Sequence, residues 1–159
     1  MNVAGLIDQF VMKVDPSTVI FRKIEVAPWI DVLESKLPRR LPSSFRSLVT
    51  RYAFASFDLD GLTLFGNTGL KKDDDLTELI FRDRGIAQAT LENGYIQFAR
   101  PATGDYDPIC FDARRSAANR EFGIVRLDHE EILCNNRIKV VEKVAESFFR
   151  FAADVVRRS

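Results

Sequence analysis

The stretch Asn93 to Leu127, NGYIQFARPATGDYDPICFDARRSAANREFGIVRL, decides the fold. Asn93-Gly94 is a turn signal, and it introduces the strand-like run Tyr95-Ile96-Gln97-Phe98. Pro101 to Tyr106 reads as a loop, and Pro108 then precedes a second run, Ile109-Cys110-Phe111. Glu121-Phe122-Gly123 leads into a third, Ile124-Val125-Arg126-Leu127. Each run is short, apolar and bounded by turn residues, which is the pattern of a strand with buried faces. Because the runs follow closely on one another, an antiparallel meander is their simplest connection.

Upstream of this stretch, Phe54 to Leu59 and Leu62 to Leu64 flank Asp60-Gly61, a hairpin signal. Lys71 to Asp75 is a polar loop, and its aspartates suit the start of a helix near Leu76 to Arg82. Nearer the N-terminus, Leu6, Ile7, Phe10 and Val11 share one face of a helix over 2–13 that Asn2 caps. Thr18 to Phe21 is expected to be a short strand. Pro28 opens a second helix carrying Ile30, Leu33 and Leu37, and Pro38 ends it. Pro42 starts a third, in which Phe45, Leu48, Val49 and Tyr52 recur at helical spacing. Downstream, an apolar stripe from about Ile138 through Val141, Val144, Ala145, Phe148, Phe151, Ala152 and Val155 predicts one long C-terminal helix. The fold class is therefore α+β, with a central, mainly antiparallel sheet packed against N- and C-terminal helices. Residues 1–159 are expected to form one domain, in line with the usual size of ~100–200 residues.

Composition narrows the function. Twenty-three Lys and Arg balance 23 Asp and Glu, and no long basic run interrupts the chain. Direct nucleic-acid binding, which calls for a basic excess or stripe, is disfavoured. No apolar run approaches the ~18 residues of a membrane span. Met1 to Phe10 has no basic segment and carries Asp8, so the cytoplasm is the expected compartment. Cys110 and Cys134 form no CxxC pair and are expected to be reduced thiols rather than zinc ligands.

No phosphate loop, G-x-S-x-G or H-E-x-x-H pattern is present, and no cofactor is expected. His129 is the only histidine; with Cys110 as nucleophile and Asp128 beside it, it would outline a small hydrolase. A structural role at a strand end is the simpler reading. Asp58-x-Asp60-Gly61 and Asp105-x-Asp107 are fragments of calcium loops that lack the remaining oxygen ligands, so they read as turns and no metal is expected. The candidate partner contacts are Asp73, Asp74 and Asp75, with Asp105 and Asp107, because an acidic patch steers a basic protein into place.

Ile30-x-x-Leu33-Glu34-x-x-Leu37-Pro38, followed by Leu41-Pro42-x-x-Phe45-Arg46-x-Leu48-Val49, resembles the opening of the SUKH superfamily. That superfamily includes yeast-type cell-wall assembly regulators and many bacterial immunity proteins. Gly104 to Asp112 is similar to its central strand motif, Gly123 to His129 to its following strand, and Ala145-x-x-Phe148-x-x-Phe151 to its closing segment. The resemblance spans roughly residues 25–155, with the markers in family order. It implies a compact α+β domain with a binding role and no catalytic residues. The expected partner is a cognate protein toxin, often a nuclease in that family, or another protein. A regulatory scaffold without a toxin partner is the alternative.

Overall fold

In the computed structural model, which describes residues 2–68, 75–115 and 119–158, local sequence signals account for most of the elements. Helix α1 (Val3–Lys13) starts where the Asn2 side chain accepts the Gly5 N–H at 2.7 Å, and it buries Leu6, Ile7 and Phe10. Helices α2 (Trp29–Ser35) and α3 (Ser43–Arg51) each follow a proline, and α3 buries Phe45, Leu48 and Val49. The expected strand at Thr18–Phe21 does not form. The pairing falls instead on β1 (Arg22–Lys23), which meets β2 (Tyr52–Ala53).

Strands β3 (Phe57–Leu59) and β4 (Leu62–Leu64) form the anticipated hairpin. Asp60 and Gly61 both take positive φ, 53° and 80°, as a two-residue primed turn demands. The sheet continues through β5 (Tyr95–Pro101), β6 (Ile109–Asp112) and β7 (Ile124–Leu127) to β8 (Val140–Ala145). Its six strands lie in chain order and every neighbouring pair is antiparallel, as a meander requires. Gly66, just after β4, is fixed as glycine by crowding: a Cβ there would lie 2.4 Å from the Phe54 carbonyl oxygen.

Four helices depart from the expectation. The long C-terminal helix is in fact β8 followed by α7 (Phe148–Arg157), which begins where Ser147 accepts the Arg150 N–H at 3.0 Å. The β-branched residues Val140, Val141 and Val144 supply a partner strand for β7, and sheet pairing overrides the helical spacing. The helix expected near Leu76–Arg82 is a single turn, α4 (Leu76–Leu79), and α5 (Arg84–Glu92) follows it. A further helix, α6 (His129–Asn135), occupies the place read as the end of a strand.

These helices put cover on both sheet faces. Ile96, Phe98, Phe111 and Ile124 point into a large core shared with α1, α3 and α7. Tyr95, Cys110, Val125 and Leu127 point the other way, onto Ile86 and Ala89 of α5 and Ile132 of α6. Alternate residues enter opposite cores, so the central strands are apolar almost throughout rather than at every second position.

Candidate functional site

The polar residues singled out from the sequence converge where the loop from β5 to β6 meets the start of α6. Asp107 is the centre of this corner, with its side chain only 13% exposed. Its Oδ1 accepts the His129 backbone N–H at 3.0 Å and lies 2.5 Å from His129 Nδ1. Its Oδ2 accepts Arg126 Nε–H at 2.7 Å. An ionised carboxylate can only accept, so His129 carries its proton on Nδ1. Arg126 also reaches Asp105 Oδ2 at 3.3 Å, and Asp105 accepts from the Thr103 hydroxyl.

Tyr106 secures the other side of the loop. Its hydroxyl donates to Asp83 Oδ2 at 3.0 Å, while Asp83 Oδ1 caps α5 by accepting the Ile86 N–H. The Tyr106 ring stands edge-on to His129 at 5.9 Å and under the Arg100 guanidinium at 4.6 Å. Asp128 caps α6 by accepting the N–H groups of Glu130 and Glu131. Together these bonds tie the loop to α5, β7 and α6.

The histidine's acid partner is thus Asp107 and not the adjacent Asp128. Cys110 is not placed to serve as a nucleophile for it. Its side chain is fully buried in the second core, and burial pushes the thiol far above its ordinary pKa, with the Asp112 charge adding to the effect. Cys134 is exposed on α6. We therefore expect a thiol reagent to label Cys134 at once and Cys110 only on unfolding; rapid labelling of both in the native protein would restore Cys110 as a candidate nucleophile.

Asp107, Asp128 and His129 bring ligand atoms within 4.8 Å of one another, a spacing that invites a metal. The donors argue otherwise. Both Asp107 oxygens and the Asp128 Oδ1 already accept hydrogen bonds, and the Arg126 guanidinium supplies the local positive charge.

Burial works to raise the Asp107 pKa, but the His129 hydrogen bonds and Arg126 outweigh it and hold the carboxyl below its usual value near 3.8. The native state therefore keeps this charge more firmly than the unfolded chain does. The resulting stability is complete above the unfolded pKa and is lost as pH falls through the lower native one. Asp107→Asn is expected to flatten the fall of stability below about pH 4, read from urea midpoints across that range. An unchanged slope would contradict the assignment.

Of the candidate partner contacts, Asp73 and Asp74 lie outside the described residues. Asp75 is turned inward, 9% exposed, where its backbone bridges Gly66 and its Oδ1 sits 3.5 Å from the Thr68 hydroxyl. Asp107 is spent on Arg126 and His129. Asp105 remains at the surface, with its side chain 58% exposed. Beyond His129, α6 adds Glu130, exposed, and Glu131, half-buried. Sequence reasoning passed over these two, although Asp128 followed three residues later by Glu131 is a capping-box pattern that marks a helix start.

No family model matches this chain, and no curated protein is significantly similar to it.

Proposed function

We propose that the chain is a protein-binding module of the immunity type, acting in the cytoplasm to silence a toxin, with a nuclease as the best-fitting class. The observation that carries this reading is how the polar corner spends its residues. The only histidine, Arg126 and Asp107 hold a loop in place, and the nearby thiol is sealed in the core. What the corner presents to solvent is a rim of carboxylates, Asp105 and Glu130 with Glu131 behind them, on a pre-ordered backbone. A rigid acidic surface lowers the ordering cost of association and draws in a basic partner. The order of SUKH-like motifs along the chain supports the same reading. Among the described residues, no helix is long and apolar enough to cross a membrane.

The test runs the tagged parent protein and an Asp105→Lys/Glu130→Lys variant side by side in capture from the native cell. The expected result is one stoichiometric basic protein held by the parent and lost, or held only at low salt, by the variant. Equal retention by both would remove the acidic rim from the interface.

A further inference from the structure

A second polar feature lies away from this corner, on the solvent face of α3. Ser43, Arg46, Ser47 and Thr50 recur at i, i+3, i+4 and i+7, so they line the side of the helix opposite Phe45, Leu48 and Val49. Arg40 from the preceding turn, Arg51 at the helix end and Arg120 from the segment before β7 close a groove of about 250 Å³ around them. Four arginines and no carboxylate line this groove, in a chain whose net charge is zero.

The four guanidinium groups divide into two kinds. Arg46 pairs with Glu34, whose side chain is only 6% exposed, and with Asp31 at 3.7 Å, and Arg51 pairs with Asp8, which also accepts from the Tyr52 hydroxyl. Arg40 and Arg120 have no side-chain hydrogen bond or ion pair among the described residues, and neither do the hydroxyls of Ser43 and Ser47. Arg120 is also fixed in an unusual backbone conformation. Its φ is 57°, and its carbonyl accepts the Ser43 N–H at 2.9 Å, which ties its Cα to the start of α3. The residues lining the groove thus include two paired arginines and, among the described residues, two arginines and two hydroxyls with no side-chain partner. Like charges that share one groove repel one another unless an anion lies among them.

We propose that this groove is a binding site for a phosphate group. Forked guanidinium donors and hydroxyls suit a tetrahedral oxyanion, and a dianion matches the two cations that have no carboxylate partner among the described residues. The volume is below the ~300–1,000 Å³ of pockets that enclose drug-sized ligands, so the groove fits a phosphate with at most a small substituent inside it.

The experiment is titration of the full chain with inorganic phosphate, by calorimetry and by thermal unfolding, against sodium chloride at equal ionic strength. Saturable binding and a rise in Tm are expected with phosphate and not with chloride. Arg40→Ala combined with Arg120→Asn, which keeps a residue tolerant of positive φ, should weaken binding at least about tenfold. Arg137→Ala with Lys139→Ala, on the exposed chain after α6, should leave it unchanged. A nucleoside monophosphate in parallel identifies the source: tighter binding than phosphate marks an ester as the ligand, and equal binding marks the free ion. Identical responses to phosphate and chloride, or full binding by a folded Arg40/Arg120 variant, would overturn the proposal.

Discussion

Glu121→Ala is expected to lower the unfolding free energy by about 3–5 kcal/mol. The side chain is buried at 8% exposure, and one carboxylate serves the first turns of two helices. Its Oε2 accepts the Ser44 N–H at 2.8 Å; its Oε1 accepts the Ser44 hydroxyl at 2.6 Å and the Phe149 N–H at 3.1 Å. No cation pairs with it among the described residues. The positive ends of α3 and α7 stabilise the charge instead. Alanine would leave three donors without this acceptor, the Ser44 N–H and hydroxyl buried and the Phe149 N–H half-buried. Against a typical total stability of about 5–15 kcal/mol, such a loss puts folding itself at risk. Urea unfolding should show a lower midpoint with an unchanged slope, and Tm should drop by roughly 10 °C. Glu121→Gln, which keeps one acceptor and the shape, should recover part of the loss. A change in Glu121→Ala of under about 1 kcal/mol would mean that the two helix ends find other partners.

The second large effect falls on Phe45. This ring is fully buried, with its centroid 5.3 Å from Phe98, 5.2 Å from Phe111 and 5.1 Å from Phe148. Phe98 and Phe111 come from adjacent strands and stack at 4.0 Å, and Phe148 opens α7. Phe45 therefore joins α3 to the sheet and to the C-terminal helix at one point. Phe45→Ala is expected to cost about 3–5 kcal/mol, as lost transfer energy and as a cavity that edge-to-face rings cannot close by sliding. Phe45→Leu should cost well under half of that, because it retains most of the volume. Equal losses for the two variants would show that the aromatic geometry matters more than the volume. The Glu121 and Phe45 predictions meet in α3: Glu121 secures its first turn, and Phe45 secures its buried face.

The parts of this architecture that the sequence made legible are those written in local signals. Asn2, Pro28, Pro42 and Asp60-Gly61 each mark an element boundary by their own backbone preferences, and the meander follows from the spacing of its strands. What escaped were features set by distant partners. Val140 to Ala145 carries a helical period, yet it is a strand because β7 needs a neighbour, and that need is invisible in a local window. Helix α5 exposes Arg84, Gln88 and Glu92 and, apart from Ile86, buries only small residues, so its apolar stripe is too thin to stand out. Without α5 and α6 in view the second core is invisible, and with it the reason Cys110 is buried. The candidate site was legible as a set of residues, Asp105, Asp107 and His129, but not as an arrangement. Nothing in the spacing of 107 and 129 indicates that they pair, because the contact depends on the β6–β7 register.

In the proposed function this chain acts by covering another protein. The most direct measurement is a titration of the captured partner's own activity against the purified chain. Activity is expected to fall in proportion to added protein and to vanish at equimolar mixing. Full partner activity at saturating protein, with binding confirmed in the same samples, would contradict it.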